Sequence, residues 1–207
     1  MEVTRLYLIR HGQVAGHEKK RYNGQANIPL TEEGRRQLDR VCEILSCQPL
    51  QAIYASDLDR CVYGAEQLAG KIGLEVNVEP LLREMHCGSW QGRIWEELQE
   101  EFPAEWQARL RDIVHYRLPG GESFFDAALR ARPVVQKLLE RHAGKNVALF
   151  GHGGINRIVL LDALGASLDC AFAIDQDYAC LNIIDYHADG RRRVRLMNGS
   201  CAPEGNI

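Results

Sequence analysis

Two apolar segments, separated by about two thirds of the chain, end in the same way. Thr4 to Ile9 alternates and then turns wholly apolar before Arg10-His11-Gly12, and Asn146 to Phe150 does the same before Gly151-His152-Gly153-Gly154. Short apolar runs closed by turn residues read as strands buried on both faces. Such strands belong to parallel sheets, whose ligands bind outside the carboxyl ends of the strands. His11 and His152 are therefore expected in one site.

The chain between them alternates strand and helix signals. Thr31-Glu32-Glu33 supplies an N-cap and an acidic first turn for a helix whose Leu38, Val41, Cys42 and Leu45 recur at helical spacing. Leu50 to Ala55 reads as a second strand, Leu58 to Leu68 as a helix stopped by Gly70 and Gly73, and Leu74 to Val78 as a third strand. From about Leu81 the pattern is irregular: Trp90, Trp95 and Trp106, interspersed charges and Pro103 suggest short helices and loops laid over the core, and 85–121 reads as a lid or side insertion whose aromatic residues pack beneath it. Ser123 to His142 is helical with Pro133 as a kink point, and Gly154 to Leu164 is the next helix. Leu181 to Tyr186 and Val194 to Met197 read as closing strands, Arg191-Arg192-Arg193 as a solvated turn, and 198–207 as a loose C-terminal tail. The fold class that follows is α/β, a three-layer α/β/α sandwich on a mostly parallel mixed sheet. With 207 residues, 45% of them hydrophobic, one domain over 1–207 is expected.

A net charge of −3 gives no reason to expect nucleic acid or an anionic membrane as partner, so an anionic ligand must be held by local cations. No apolar run approaches the roughly 20 residues that cross a bilayer. The first strand begins at once, which leads to the expectation of no signal peptide and a cytoplasmic location. Seven cysteines without a C-x-x-C pair point to reduced, mostly buried thiols, neither a disulfide framework nor a cysteine zinc site. The sequence specifies no oligomeric state.

Arg10, His11 and His152 suit a phosphate monoester, a dianion that needs several converging cations or donors when it leaves water. Arg60 joins them, because Ala55-Ser56-Asp57-Leu58-Asp59-Arg60 sets it in the first turn after another strand end, and a guanidinium grips two phosphate oxygens at once. Gly153 offers backbone N–H groups at a helix N-terminus. A neutral imidazole is a competent nucleophile, a role assigned to His11. Glu84, in Leu82-Arg83-Glu84-Met85, is the candidate proton donor. Glu122 reads as the first-turn acid of the Ser123 helix, and His86, His115, His142 and His187 as structural or exposed.

Taken in order, Leu8-Ile9-Arg10-His11-Gly12-Gln13, Arg21-Tyr22-Asn23-Gly24, Ser56-Asp57-Leu58-Asp59-Arg60, Leu82-Arg83-Glu84, Pro119-Gly120-Gly121-Glu122-Ser123 and Gly151-His152-Gly153-Gly154 resemble the histidine phosphatase superfamily, which includes the cofactor-dependent phosphoglycerate mutases. The resemblance spans nearly the whole chain. It implies transfer of a phosphoryl group to His11 and its hydrolysis by water, with Arg10, Arg60 and His152 clamping the oxygens, Glu84 moving the proton, a small-molecule phosphate monoester as partner, and neither metal nor cofactor. Gln13 and Gly153 are carried as substrate contacts. Where family members often have an asparagine this chain has His17, so His17 and the nearby Asn23 are candidate contacts as well.

After Glu84 the run Met85-His86-Cys87-Gly88-Ser89-Trp90-Gln91-Gly92-Arg93 resembles the phosphatase branch; mutases typically continue with arginine and then tyrosine-glycine. A phosphomonoesterase is the favoured expectation, with a mutase-type isomerase and a phosphate-binding module without turnover as alternatives. Leu118 to Ser123 and Gly151 to Arg157 are similar to α-ribazole phosphatases, which makes α-ribazole 5'-phosphate a candidate substrate.

Overall fold

The computed structural model describes residues 2–200. Its sheet has six strands in the order β3-β2-β4-β1-β5-β6, formed by β1 (Val3–Arg10), β2 (Ala52–Ala55), β3 (Val76–Val78), β4 (Asn146–Gly151), β5 (Leu181–His187) and β6 (Arg192–Gly199). The first four are mutually parallel, and β5 and β6 close one edge antiparallel.

Alternating side chains of the buried strands feed two separate cores. Tyr7, Ile9, Ile53, Ala55, Ala148 and Phe150 meet α1 (Glu32–Ser46) and α2 (Asp59–Ile72) on one face. Leu6, Leu8, Tyr54, Val147 and Leu149 meet α5 (Phe124–Arg141) and α6 (Gly153–Leu164) on the other. Three layers result, as the alternation in the sequence implies.

Residues 85–121 form the short helices and loops over the core that their sequence suggests. They hold α3 (Trp95–Glu101) and α4 (Pro103–Arg111), and Leu98, Trp106, Val114 and Leu118 join the α5–α6 core. Trp90 and Trp106 stack at 6.0 Å beneath the surface, whereas Trp95 lines a cavity mouth. Helix α5 is assigned without a break through Pro133. At the other end of the chain, Arg192 and Arg193 begin β6 and Asn198 and Gly199 complete it, so neither the arginine turn nor the tail has the expected limits. Edge pairing with β5 overrides the polar composition there. The rest of the expected tail, 201–207, lies outside the described residues.

Strand register positions the site. Arg10 is the register partner of Gly151, and Ala55 of Phe150, so β1, β4 and β2 end at one level. The residues just beyond those ends, His11, His152 and Ser56, are brought side by side. Helix α1 reaches this level through close backbone contact, where a Cβ on Gly12 would stand 2.1 Å from the Gly34 carbonyl oxygen, and through the Gln37 side chain, which accepts from the Gln13 N–H at 2.9 Å.

Candidate active site

The His11 and His152 rings lie 5.4 Å apart, edge to face; His11 lines a cavity of about 200 Å3, whereas His152 is not part of its wall. His11 is 5% exposed and His152 fully buried. Burial, reinforced by the Arg60 and Arg10 cations, holds both imidazoles well below their ordinary pKa, so each is neutral near pH 7. His11 Nδ1 lies 2.8 Å from the carbonyl oxygen of Gly12. A carbonyl only accepts, so Nδ1 carries the hydrogen and Nε2 keeps its lone pair. His152 Nε2 is 2.8 Å from the buried Ser56 hydroxyl.

Arg60, 1% exposed, donates to the carbonyls of Ala26 (2.6 Å) and Gly24 (2.8 Å). Arg10 donates to the Gln176 carbonyl and stacks on Tyr178 at 4.2 Å. Both guanidinium groups are anchored by neutral oxygens, which fixes their geometry and leaves their charge uncompensated. Nε of each is buried without a partner.

Glu84 sits across the cavity. Its carboxylate accepts from the N–H of Met85 (2.9 Å) and, at the start of α6, from that of Gly154 (2.9 Å). A Cβ on Gly154 would stand 2.4 Å from Glu84 Oε1, so this approach requires glycine. Gly153 opens α6 beside Arg10 and Arg157, with its N–H at the helix N-terminus.

The other expected contacts divide. Asn23 lines the cavity, its buried Oδ1 without a partner. His17 lines an adjoining outer compartment and lies 3.5 Å from Glu18. The Gln13 side chain accepts from the Thr31 hydroxyl at 2.8 Å, within the cap of α1, and is absent from the cavity wall.

Several lining residues were not assigned a role from the sequence. Arg157 falls one turn into α6 and donates to the Ile174 carbonyl at 2.8 Å, a place that the spacing Gly153-x-x-x-Arg157 marks. Tyr178 has no sequence signal; it is set against His11 by a loop in which Ala179 takes φ 55° and donates its N–H to the His11 carbonyl. That left-handed conformation is unfavourable for alanine, and it occurs where the chain must present a side chain to the site. Arg21, Tyr22 and Arg109 complete the wall.

Glu122 is not the first-turn acid. Ser123 and Asp126 form the cap of α5, while Glu122 accepts from the His86 N–H (2.8 Å) and pairs with Arg130 (2.8 and 2.9 Å). Arg130 in turn donates to the carbonyls of Leu81, Arg83 and Glu84. The pair fastens the loop that carries Glu84.

Cys42, Cys61, Cys87 and Cys180 are free and buried; Cys47 and Cys170 are free and exposed. Burial pushes the Cys61 thiol, 3.5 Å from His152 Nε2, up to about 12, so it is not a thiolate. Among the described residues no group of three or more His, Cys, Asp or Glu side chains is arranged to hold a metal, and no helix is long and apolar enough to cross a membrane.

A neutral imidazole with a free lone pair, two uncompensated guanidinium groups and a carboxyl around one cavity suit phosphoryl chemistry. Comparison with known proteins agrees. The chain is 33% identical over 196 residues to a bifunctional protein of Mycobacterium tuberculosis, an alignment covering 94% of this chain and 54% of that protein, so it spans about half that relative's length. It is 34% identical to a glucosyl-3-phosphoglycerate phosphatase of Mycolicibacterium vanbaalenii, with 82% and 78% of the two chains covered. Among solved structures, a mycobacterial glucosyl-3-phosphoglycerate phosphatase superposes with a TM-score of 0.85 at 30% identity over 96% of this chain and all of the other. The α-ribazole phosphatase of Shigella flexneri gives 0.86 at 26% identity, over 98% and 100%. A family model matches residues 6–199, and with it the chain belongs to the histidine phosphatase superfamily, branch 1.

Proposed function

We propose that the protein hydrolyses small phosphate monoesters through a phosphohistidine formed on His11. The observation that carries this reading is the neutral His11 with its Nε2 lone pair free, on the floor of a cavity walled by Arg10, Arg60 and Glu84. In the first step Nε2 bonds to phosphorus as the bond from phosphorus to the ester oxygen breaks, and the Glu84 carboxyl gives its proton to the departing oxygen. The carboxylate left behind is met by the N–H groups of Met85 and Gly154. In the second step water adds to phosphorus, the bond to Nε2 breaks, and Glu84 recovers a proton from that water. Arg10 and Arg60 neutralise the phosphoryl oxygens throughout, with the uncharged His152 and the N-terminus of α6 as hydrogen-bond donors, and because these groups are anchored beforehand little reorganisation is needed.

The phosphatases among the relatives carry names with different substrates, so the substrate is set by the cavity. Acid-labile label from a 32P-phosphate ester is expected on the wild-type protein within one turnover. His11→Ala should lose the label and at least about 1,000-fold in kcat on an aryl phosphate, as expected when the group that forms the covalent bond is removed. Full activity in that variant would end the assignment.

A further inference from the structure

The site holds more positive charge than one phosphate can use. Arg10 and Arg60 bring two cations to a phosphoryl dianion, yet Arg21, Arg109 and Arg157 line the same cavity, with Glu84 as the carboxyl among its lining residues. Beyond it, an outer compartment of about 470 Å3 shares Arg10, Arg21 and Arg157 and adds His17, Lys19 and Lys20, against Asp175 as its one lining carboxylate. No ion pair engages Arg10, Arg21, Arg60, Arg109 or Arg157 among the described residues, whereas Arg5, Arg83, Arg130 and Arg132 on the same molecule are all paired with carboxylates.

Two features make this surplus a built site. Arg157 is anchored by neutral oxygens, donating to the carbonyls of Ile174 (2.8 Å) and Gly153 (3.2 Å) and facing the Phe172 ring at 5.6 Å. It also crowds Arg10: the place of a Cβ on Gly153 would lie 3.2 Å from Arg157 Nη1 and 3.4 Å from Arg10 Nε. Burial and this like-charged neighbour both disfavour the Arg157 cation, with Glu84 the main group opposing them. Two guanidinium groups held this close without a shared carboxylate are complementary to a ligand with two anionic groups. On the wall of the same cavity, the buried Nε of Arg21 has no partner.

We infer that the preferred substrate carries a second acidic group, a carboxylate or another phosphate, a few bonds from the phosphate that is cleaved, and that Arg157 and Arg21 receive it, with Lys20 at the rim. Lys20 stands over the Trp95 ring at 5.5 Å, and both line the outer compartment. The inference rests on the phosphomonoesterase reading for where the first phosphate sits. It selects against monoesters with neutral bodies, α-ribazole 5'-phosphate among them.

Matched ligands that differ only in the second acid test it: 3-phosphoglycerate against glycerol 3-phosphate, and O-phosphoserine against O-phosphoethanolamine. Calorimetric titration of the His11→Ala protein, which needs no turnover, is expected to give at least tenfold tighter binding of the acidic member of each pair. Raising the salt from 50 to 500 mM should shrink that ratio, and Arg21→Gln with Lys20→Gln should bring it below threefold, with Arg21→Lys restoring part of it. Equal affinities within each pair, or a ratio untouched by the Arg21 and Lys20 changes, would overturn the inference. Turnover of the same ligands and of an aryl phosphate by the wild-type protein is scored separately. Failure to release phosphate from any of them would count against the hydrolase reading and leave the binding comparison to decide the second acid.

Discussion

Glu84 shows how much a single carboxyl depends on the groups that meet it. Both of its oxygens accept a backbone N–H, an arrangement that suits the anion produced when it gives up a proton. Its contribution should therefore scale with how badly the leaving group needs that proton. Glu84→Gln is expected to slow alkyl phosphates by about 100-fold and aryl phosphates with good leaving groups by less than about tenfold, within the usual range for general acid catalysis. A leaving-group series in kcat measures it, and equal losses across the series would remove Glu84 from the acid role. The carboxyl needs a glycine to approach α6, which is why Gly154 belongs to the same functional unit although it contributes no side chain.

At the scale of elements, the strand ends carry the histidines and a buckle carries Glu84. Arg130, on α5, ties three carbonyls of the 81–84 loop, and Glu122 ties both Arg130 and the His86 N–H. Arg130→Met leaves the Glu122 carboxylate without its cation and is expected to cost about 2–3 kcal/mol of stability, the range for stranding a largely desolvated polar group. Its activity should fall in the pattern of Glu84→Gln, alkyl phosphates first; a uniform loss across leaving groups would reduce the pair to a structural clamp. This network also marks the limit of sequence reading. The strands around His11 and His152 were legible because buried parallel strands have a distinctive apolar run and end at one edge. Glu122 was misread because an acid beside a serine N-cap looks the same whether it caps its own helix or bonds across to another loop. Tyr178 left no trace, since its place depends on a left-handed alanine. Short helices over the core were legible in this region, but not the bounds of α3 and α4, because their apolar residues answer to an aromatic cluster with Tyr22, distant in sequence, and not to a regular period.

For the molecule as a whole, enclosing two neutral imidazoles makes stability depend on pH. In the unfolded chain His11 and His152 take up protons near pH 6.5, whereas in the folded chain burial and the arginines hold their pKa values well below that. The unfolded state therefore binds more protons as pH falls beneath about 6.5, and stability falls with it. The full contribution is present above that value and is lost progressively toward the native pKa values. At low pH a second loss joins it, because Asp57 and Asp185, held below the usual carboxylate range by Arg83 and Arg5, must be protonated on unfolding. Between about pH 6 and pH 5 the histidines dominate: the two site imidazoles give a limiting slope of about 2.7 kcal/mol per pH unit, and His142, whose pKa is lowered by burial and by Lys145 and Arg141, adds to it with the same sign. Urea unfolding across this interval should show a slope approaching that limit in the wild-type protein. The double variant His11→Asn with His152→Asn, which has nothing to titrate at those positions, should lose most of the slope and keep the part due to His142; an unchanged slope would place the pH dependence elsewhere in the fold. The neutrality that the proposed attack by His11 requires thus has its cost in acid stability, and an anion beside Arg10 and Arg60 should recover part of it by binding the folded state alone.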